Sequence, residues 1–152
     1  MKSTLFLMTI VLSIAASCLA AHRDDILGVW NNEEKDAKIA IFRCEVKYCG
    51  KIVFLKEPNY PAGSKDGTPG SPRLDNNNPD AAKRFTPIIG LWIVNDFVFA
   101  GDRVWKDGTV YDPKNGRTYR GKMTLVPPDK LVMRGFVGIP LFGRSTEWTR
   151  DK

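Results

Sequence analysis

General acid–base chemistry has few residues to draw on in this chain. His22 is the single histidine, and Asp102, Asp107 and Asp112 are the carboxylates close in sequence to Tyr111 and Tyr119. A converging carboxylate pair would suit glycoside hydrolysis, one acid protonating the leaving oxygen and the other acting from the opposite face. A Ser–His or Cys–His nucleophile cannot be built in the body of the fold, because His22 lies near the start of the chain. An enzymatic reading therefore rests on Asp112 with Tyr111 or Tyr119.

The same stretch has a structural reading. In Asp112-Pro113-Lys114-Asn115-Gly116, Asp accepts hydrogen bonds from the turn backbone and Pro sets φ for the first corner. Asn and Gly tolerate the left-handed conformation at the exit. Trp105 to Gly121 ("WKDGTVYDPKNGRTYRG") then reads as a hairpin, with Asp112 and Gly116 structural. Lys106-Asp107-Gly108 gives a second turn signal.

Metal chemistry has one candidate. Asp75-Asn76-Asn77-Asn78-Pro79-Asp80 offers oxygens for a hard cation such as calcium. It lacks the spaced Gly and terminal Glu of an EF-hand loop, and Asn-Pro-Asp is also ordinary turn chemistry. No resident metal or cofactor is expected.

The elements that must position these groups begin after a leader. Lys2 precedes an apolar run at residues 5–16, too short to span a bilayer, and Cys18-Leu19-Ala20 ends in a small residue. A signal peptide of residues 1–20, cut near Ala20, leaves one exported domain over residues 21–152. The alternative is a lipoprotein acylated at Cys18. Of three cysteines, Cys44 and Cys49 then remain, with four residues between them. In an oxidising compartment a disulfide is expected, the alternative being a metal site short of soft ligands. The net charge is +6, with the basic residues scattered along the chain. That pattern reads as a solvated surface, and nucleic acid is not an expected partner outside the cytoplasm.

Short β-type runs alternate with turn clusters: residues 27–31, 37–44, 48–55, 89–94, 97–100 running on to 103–105, 109–111, 118–126, 130–137 and 145–150. About eight strands follow, because neighbouring runs in the middle merge on some readings. Tyr119, Gly121, Met123 and Leu125 share one face of their run, and Arg120, Lys122 and Thr124 the other. No stretch keeps a helical period. Residues 57–87, rich in Pro, Gly, Asn, Asp and Lys, are either a functional loop or lid or a disordered excursion. Within them Asn78 and Pro79 look like the cap and first position of a helical turn.

The fold class expected is all-β, an antiparallel up-and-down barrel. Gly28-Val29-Trp30 opens its first strand, where a Trp plugs the closed end of small barrels. Arg150 or Arg144 is placed to pack across that ring.

Several blocks in order resemble a known family: "GVW", "YCGKIVFLKEP", "DNNNPDAAKRFTPIIGLWI", "WKDGTVYDPKNGRTY" and "LVMRGFVGIPLFGRSTEWTR". Together they are similar to the bacterial domain of unknown function numbered 2147, from about Ile26 to Arg150. The resemblance implies an exported, periplasmic or secreted lipocalin-like barrel, and it carries no assigned catalytic residues.

A barrel of this size holds its own side chains or one small ligand. Candidate ligand contacts are Trp92, Trp105, Tyr111, Tyr119, Met133 and Arg134. Arg134 either faces inward and needs an anionic partner or faces water. The leading expectation is a binding protein for a small apolar or amphipathic ligand. The alternatives are an envelope protein-interaction module with a filled barrel, and the carboxylate enzyme. "GIPLFG" (Gly138 to Gly143) either folds over a barrel end or meets a partner or membrane surface.

Overall fold

Alternating apolar and polar residues close into a barrel once every strand finds two neighbours. The structure, a computed structural model, describes residues 22–152; the expected leader, its cut near Ala20 and acylation at Cys18 lie outside them. The strands are β1 (Gly28–Asn31), β2 (Ala37–Cys44), β3 (Lys47–Leu55), β4 (Trp92–Phe99), β5 (Val104–Asp112), β6 (Arg117–Val126), β7 (Lys130–Phe136) and β8 (Arg144–Arg150). Each pairs antiparallel with the next, and β1 closes on β8 with Trp30 opposite Arg150. The expected up-and-down barrel of eight strands is present, and its closure removes the exposed sheet edges.

Two expected strand breaks are bulges instead. Residues 89–94 and 97–100 contribute to the single strand β4, and residues 103–105 and 109–111 to β5. Asn95 and Asp96 stand between the pairs Gly50↔Val94 and Tyr48↔Phe97. Lys106 and Asp107 stand between Trp105↔Met123 and Gly108↔Gly121. Asp96 and Asp107 take φ of 61° and 64°, so each adds one residue in the left-handed region and bends its strand. The Lys106-Asp107-Gly108 turn expected from sequence is therefore a bulge within β5. Bulges and turns draw on the same residue types, which is why the pattern misleads.

The lower end carries the short turns between β2 and β3, β4 and β5, and β6 and β7. Residues 22–27 cross it. Ile26 is completely buried, and the Trp30 indole N–H donates to the Ile26 carbonyl at 2.9 Å. The Arg150 guanidinium sits 4.2 Å from the Trp30 ring centroid and donates to the Leu27 and Asp25 carbonyls. Of the two cations considered, Arg150 is the one on Trp30; Arg144 begins β8 at the opposite end. Gly28 has φ of 125°, and a Cβ there would stand 3.1 Å from Arg150 Nη1.

Cys44 and Cys49 form a disulfide across the β2–β3 hairpin. A disulfide points to a location outside the cytoplasm. Among the described residues, no helix is long and apolar enough to cross a membrane.

The interior is filled from the lower end to mid-height. Leu125, Leu131 and Trp148 form one inward level, and Trp105, Met123 and Met133 the next. Above them Gly108 and Gly121 pair across β5 and β6, and the fully buried Phe97 ring lies against both. A Cβ at either glycine would collide with that ring. Burying one such aromatic side chain contributes about 2–3 kcal/mol.

Candidate ligand site at the upper end of the barrel

The upper end is framed by residues 32–36, the long connection 56–91, the turn 113–116 and residues 137–143. The β5–β6 turn is built by its own side chains. Asp112 Oδ1 accepts from the Lys114 N–H at 2.9 Å, and Oδ2 accepts from Asn115 Nδ2 at 2.8 Å. The Asp112 carbonyl accepts from the Gly116 N–H at 2.8 Å. Gly116 takes φ of 69°, and the Asn77 carbonyl sits where a Cβ would go. Asn115 also donates to the Tyr119 hydroxyl at 3.1 Å.

The long connection is fastened to this turn. Asn77 Nδ2 donates to the Pro113 and Lys114 carbonyls, each at 3.1 Å. Tyr111 donates to Asp75 Oδ1 at 2.7 Å, and Asn78 donates to Asp75 Oδ2 at 2.7 Å. Asp75 is fully buried, and both of its oxygens are hydrogen-bonded, as a buried polar group requires. Burial, reinforced by the bond to Asp75, pushes the Tyr111 hydroxyl well above the usual phenol range. The connection also packs on itself: the Tyr60 ring is buried against Gly67, and its hydroxyl accepts from the Leu74 N–H and Asn76 Nδ2.

This accounts for the oxygen-rich run. Asp75 and Asn78 bind each other, Asn76 binds Tyr60 and the Asp66 carbonyl, and Asn77 binds the turn. Among the described residues, no three His, Cys, Asp or Glu side chains gather as a metal site. The short 3-10 turn is Ala81–Lys83, capped by Asp80 rather than Asn78, because Asp80 is the side chain that accepts from the Ala82 N–H. The three carboxylates of the enzymatic reading do not converge. Asp102 lies in the β4–β5 turn at the lower end, Asp107 on the exposed bulge, and Asp112 at the upper end.

Inward positions above the Phe97 level differ from those below. Above it Val110 and Tyr119 pair across β5 and β6; Gly135 pairs with Gly121 at the Phe97 level, and Thr146 pairs with Met133 in the level beneath. Val110, Tyr119, Gly135 and Thr146 are each partly buried, whereas Trp105, Met123 and Leu131 are fully buried. By alternation Arg144, opposite Gly135, falls on the same face at the exposed rim. The inward face is thus partly exposed toward its upper end and filled below.

A family profile described as uncharacterized proteins conserved in bacteria, DUF2147, matches residues 28–150. The chain belongs to this family. Among solved structures it is similar to protein HP1028 from Helicobacter pylori, described as belonging to the lipocalin family. The two share 19% identity and a TM-score of 0.68, over 84% of this chain and 83% of that one. No significant match is found among curated proteins. At that identity the likeness shows the fold alone, a lipocalin-like barrel.

The six expected ligand contacts occupy four environments. Trp92 stands on the outer face, half exposed, edge-on to Phe42 at 5.1 Å. Trp105 and Met133 belong to the filled core; the Trp105 indole N–H is buried without a protein partner. Tyr111 is held by Asp75, and Tyr119 is at the mouth. Arg134 faces outward: Nε donates to the Pro140 carbonyl at 2.7 Å, Nη2 to the Leu141 carbonyl at 3.2 Å and Nη1 to Ser145 Oγ at 2.9 Å. Sequence reasoning passed over Val110, Gly135 and Thr146. Period-2 alternation alone places them on the inner face, but only their half-burial marks them as mouth residues.

Proposed function

We propose that this chain is an exported lipocalin-like binding protein that takes a small, largely apolar ligand in its shallow mouth. The observation carrying this reading is the change of burial with height. Inward side chains at Val110 and Tyr119 keep accessible surface above the buried Phe97, and Thr146, opposite Met133, is partly exposed as well. Apolar walls with a few polar groups suit an amphipathic molecule. The Tyr119 hydroxyl and the Arg144 guanidinium at the rim suit an acidic head group on such a ligand. The 56–91 connection, pinned through Asp75 and Asn77, acts as a fixed wall of the mouth. The disulfide and the leader expected at residues 1–20 support export to the periplasm or beyond.

Native mass spectrometry of protein purified from its exported location tests the reading. A retained lipid-like mass, displaced by fatty acid, is expected. No retained mass, together with no saturable binding across a broad lipid panel, overturns it.

The filled lower barrel favours a second reading, a protein-interaction module that uses its outer surface. Phe97 pressed onto Gly108 and Gly121 supports it, since those positions leave no deep cavity at that level. Reproducible recovery of one protein partner, with the mouth empty in a ligand titration, would select it.

A further inference from the structure

The β7–β8 connection presents an apolar surface that the ligand reading does not use. Val137, Ile139, Leu141 and Phe142 are 73%, 54%, 76% and 78% exposed. Four large apolar side chains along one short connection are unusual for a surface that meets only water. The backbone beneath them is fixed. Pro140–Phe142 form a 3-10 turn, and the Arg134 guanidinium ties its carbonyls to the barrel. Because Arg134 holds the backbone, the apolar side chains remain outside instead of folding over the barrel end.

The surface beside this tip is cationic. A groove of about 280 Å³ runs between Ile139 and Pro140 on one side and Lys106, Arg120 and Lys122 on the other, with Asp107 as its one carboxylate. Among the described residues, none of these three cations is held in an ion pair; Arg120 instead lies 5.7 Å over the Phe136 ring. An apolar tip flanked by unpaired cations matches the chemistry of an anionic bilayer surface. Side chains such as Leu141 and Phe142 enter the acyl boundary while Lys and Arg meet headgroup phosphates. A second copy of the chain is a poorer occupant, since a two-fold contact through this patch brings like charges together.

We propose that the β7–β8 tip is a membrane-docking element that holds the barrel on an anionic lipid surface. The inference is independent of what the mouth binds, although docking here sets the barrel's upper end near the bilayer.

The test is co-sedimentation of the exported chain with vesicles containing phosphatidylglycerol and with vesicles of phosphatidylcholine alone. Binding to the anionic vesicles is expected, weakened by raised salt. Leu141→Ser with Phe142→Ser should lower the partition coefficient by about tenfold per side chain, with the thermal unfolding midpoint unchanged. Lys106→Gln with Lys122→Gln should lower it on anionic vesicles by roughly fivefold per charge and leave neutral vesicles unaffected. Equal binding to both vesicle types, or full binding by the Leu141/Phe142 variant, overturns the proposal. So does concentration-dependent dimerisation that this variant abolishes while the parent chain ignores vesicles. A fatty-acid titration of the same variant separates this result from the mouth reading, because the ligand should still bind.

Discussion

The Tyr111 hydroxyl donates to Asp75 Oδ1 at 2.7 Å, and this one bond joins the long β3–β4 connection to the fifth strand. Tyr111 sits one residue before the turn that Asp112 builds, so the turn and the connection share an anchor.

Removing that hydroxyl should loosen the connection before it unfolds the barrel. Tyr111→Phe leaves the buried Asp75 carboxylate with Asn78 as its side-chain donor, a loss of about 1–3 kcal/mol. Urea unfolding should show the loss. Limited trypsin digestion should show cleavage rising at Lys65, Arg73, Lys83 and Arg84 while β1–β8 remain protected. A variant as resistant as the parent would mean that Asn77 alone holds the connection.

The same contact gives the protein an alkaline limit. An unperturbed tyrosine loses its proton near about pH 10. Burial and the Asp75 bond raise Tyr111 above that, so the folded chain keeps a proton that the unfolded chain has released. Stability is therefore fully present below about pH 10 and is lost as pH rises toward the folded value. Tyr48 shifts the same way, through burial and its bond to Asp24. Urea midpoints measured upward from neutrality should fall, less steeply in Tyr111→Phe and less again once Tyr48→Phe is added.

The filled floor predicts a specific steric penalty. Gly121→Ala forces a methyl into the Phe97 ring and should lower stability by about 1–3 kcal/mol. Phe97→Leu in the same chain should recover part of it, and a double-mutant cycle by urea unfolding measures the coupling.

Replacing both Cys44 and Cys49 with Ser should cost about 2 kcal/mol, as expected for a short closed loop, and leave the barrel intact. Equilibrium unfolding of the oxidised and doubly substituted chains gives the difference directly.

The barrel was largely legible in the sequence because its evidence is local. Alternation through Tyr119–Leu125 and the DPKNG turn each need only neighbouring residues. The bulges at Asp96 and Asp107 were not legible as bulges. Asp107-Gly108 has turn chemistry, and only pairing with Gly121 reveals that the strand continues through it. The candidate site was less legible. Asp75 reads as one of several turn-forming residues until Tyr111, 36 positions away, reaches it. Arg134 sits in an alternating run, and its outward direction is clear only from the Pro140 and Leu141 carbonyls it holds. Trp92 and Trp105 are both large aromatics, yet one is on the outer face and the other in the core. That difference belongs to register, which composition does not carry.

Backbone amide shifts recorded by NMR during titration with a medium-chain fatty acid test the mouth site most directly. The account predicts saturable changes at Val110 and Tyr119 and at the partly exposed Gly135 and Thr146, with the buried Phe97 and Trp105 unmoved. Changes centred on Phe97 and Trp105, or none at the mouth while the acid binds elsewhere, would contradict it.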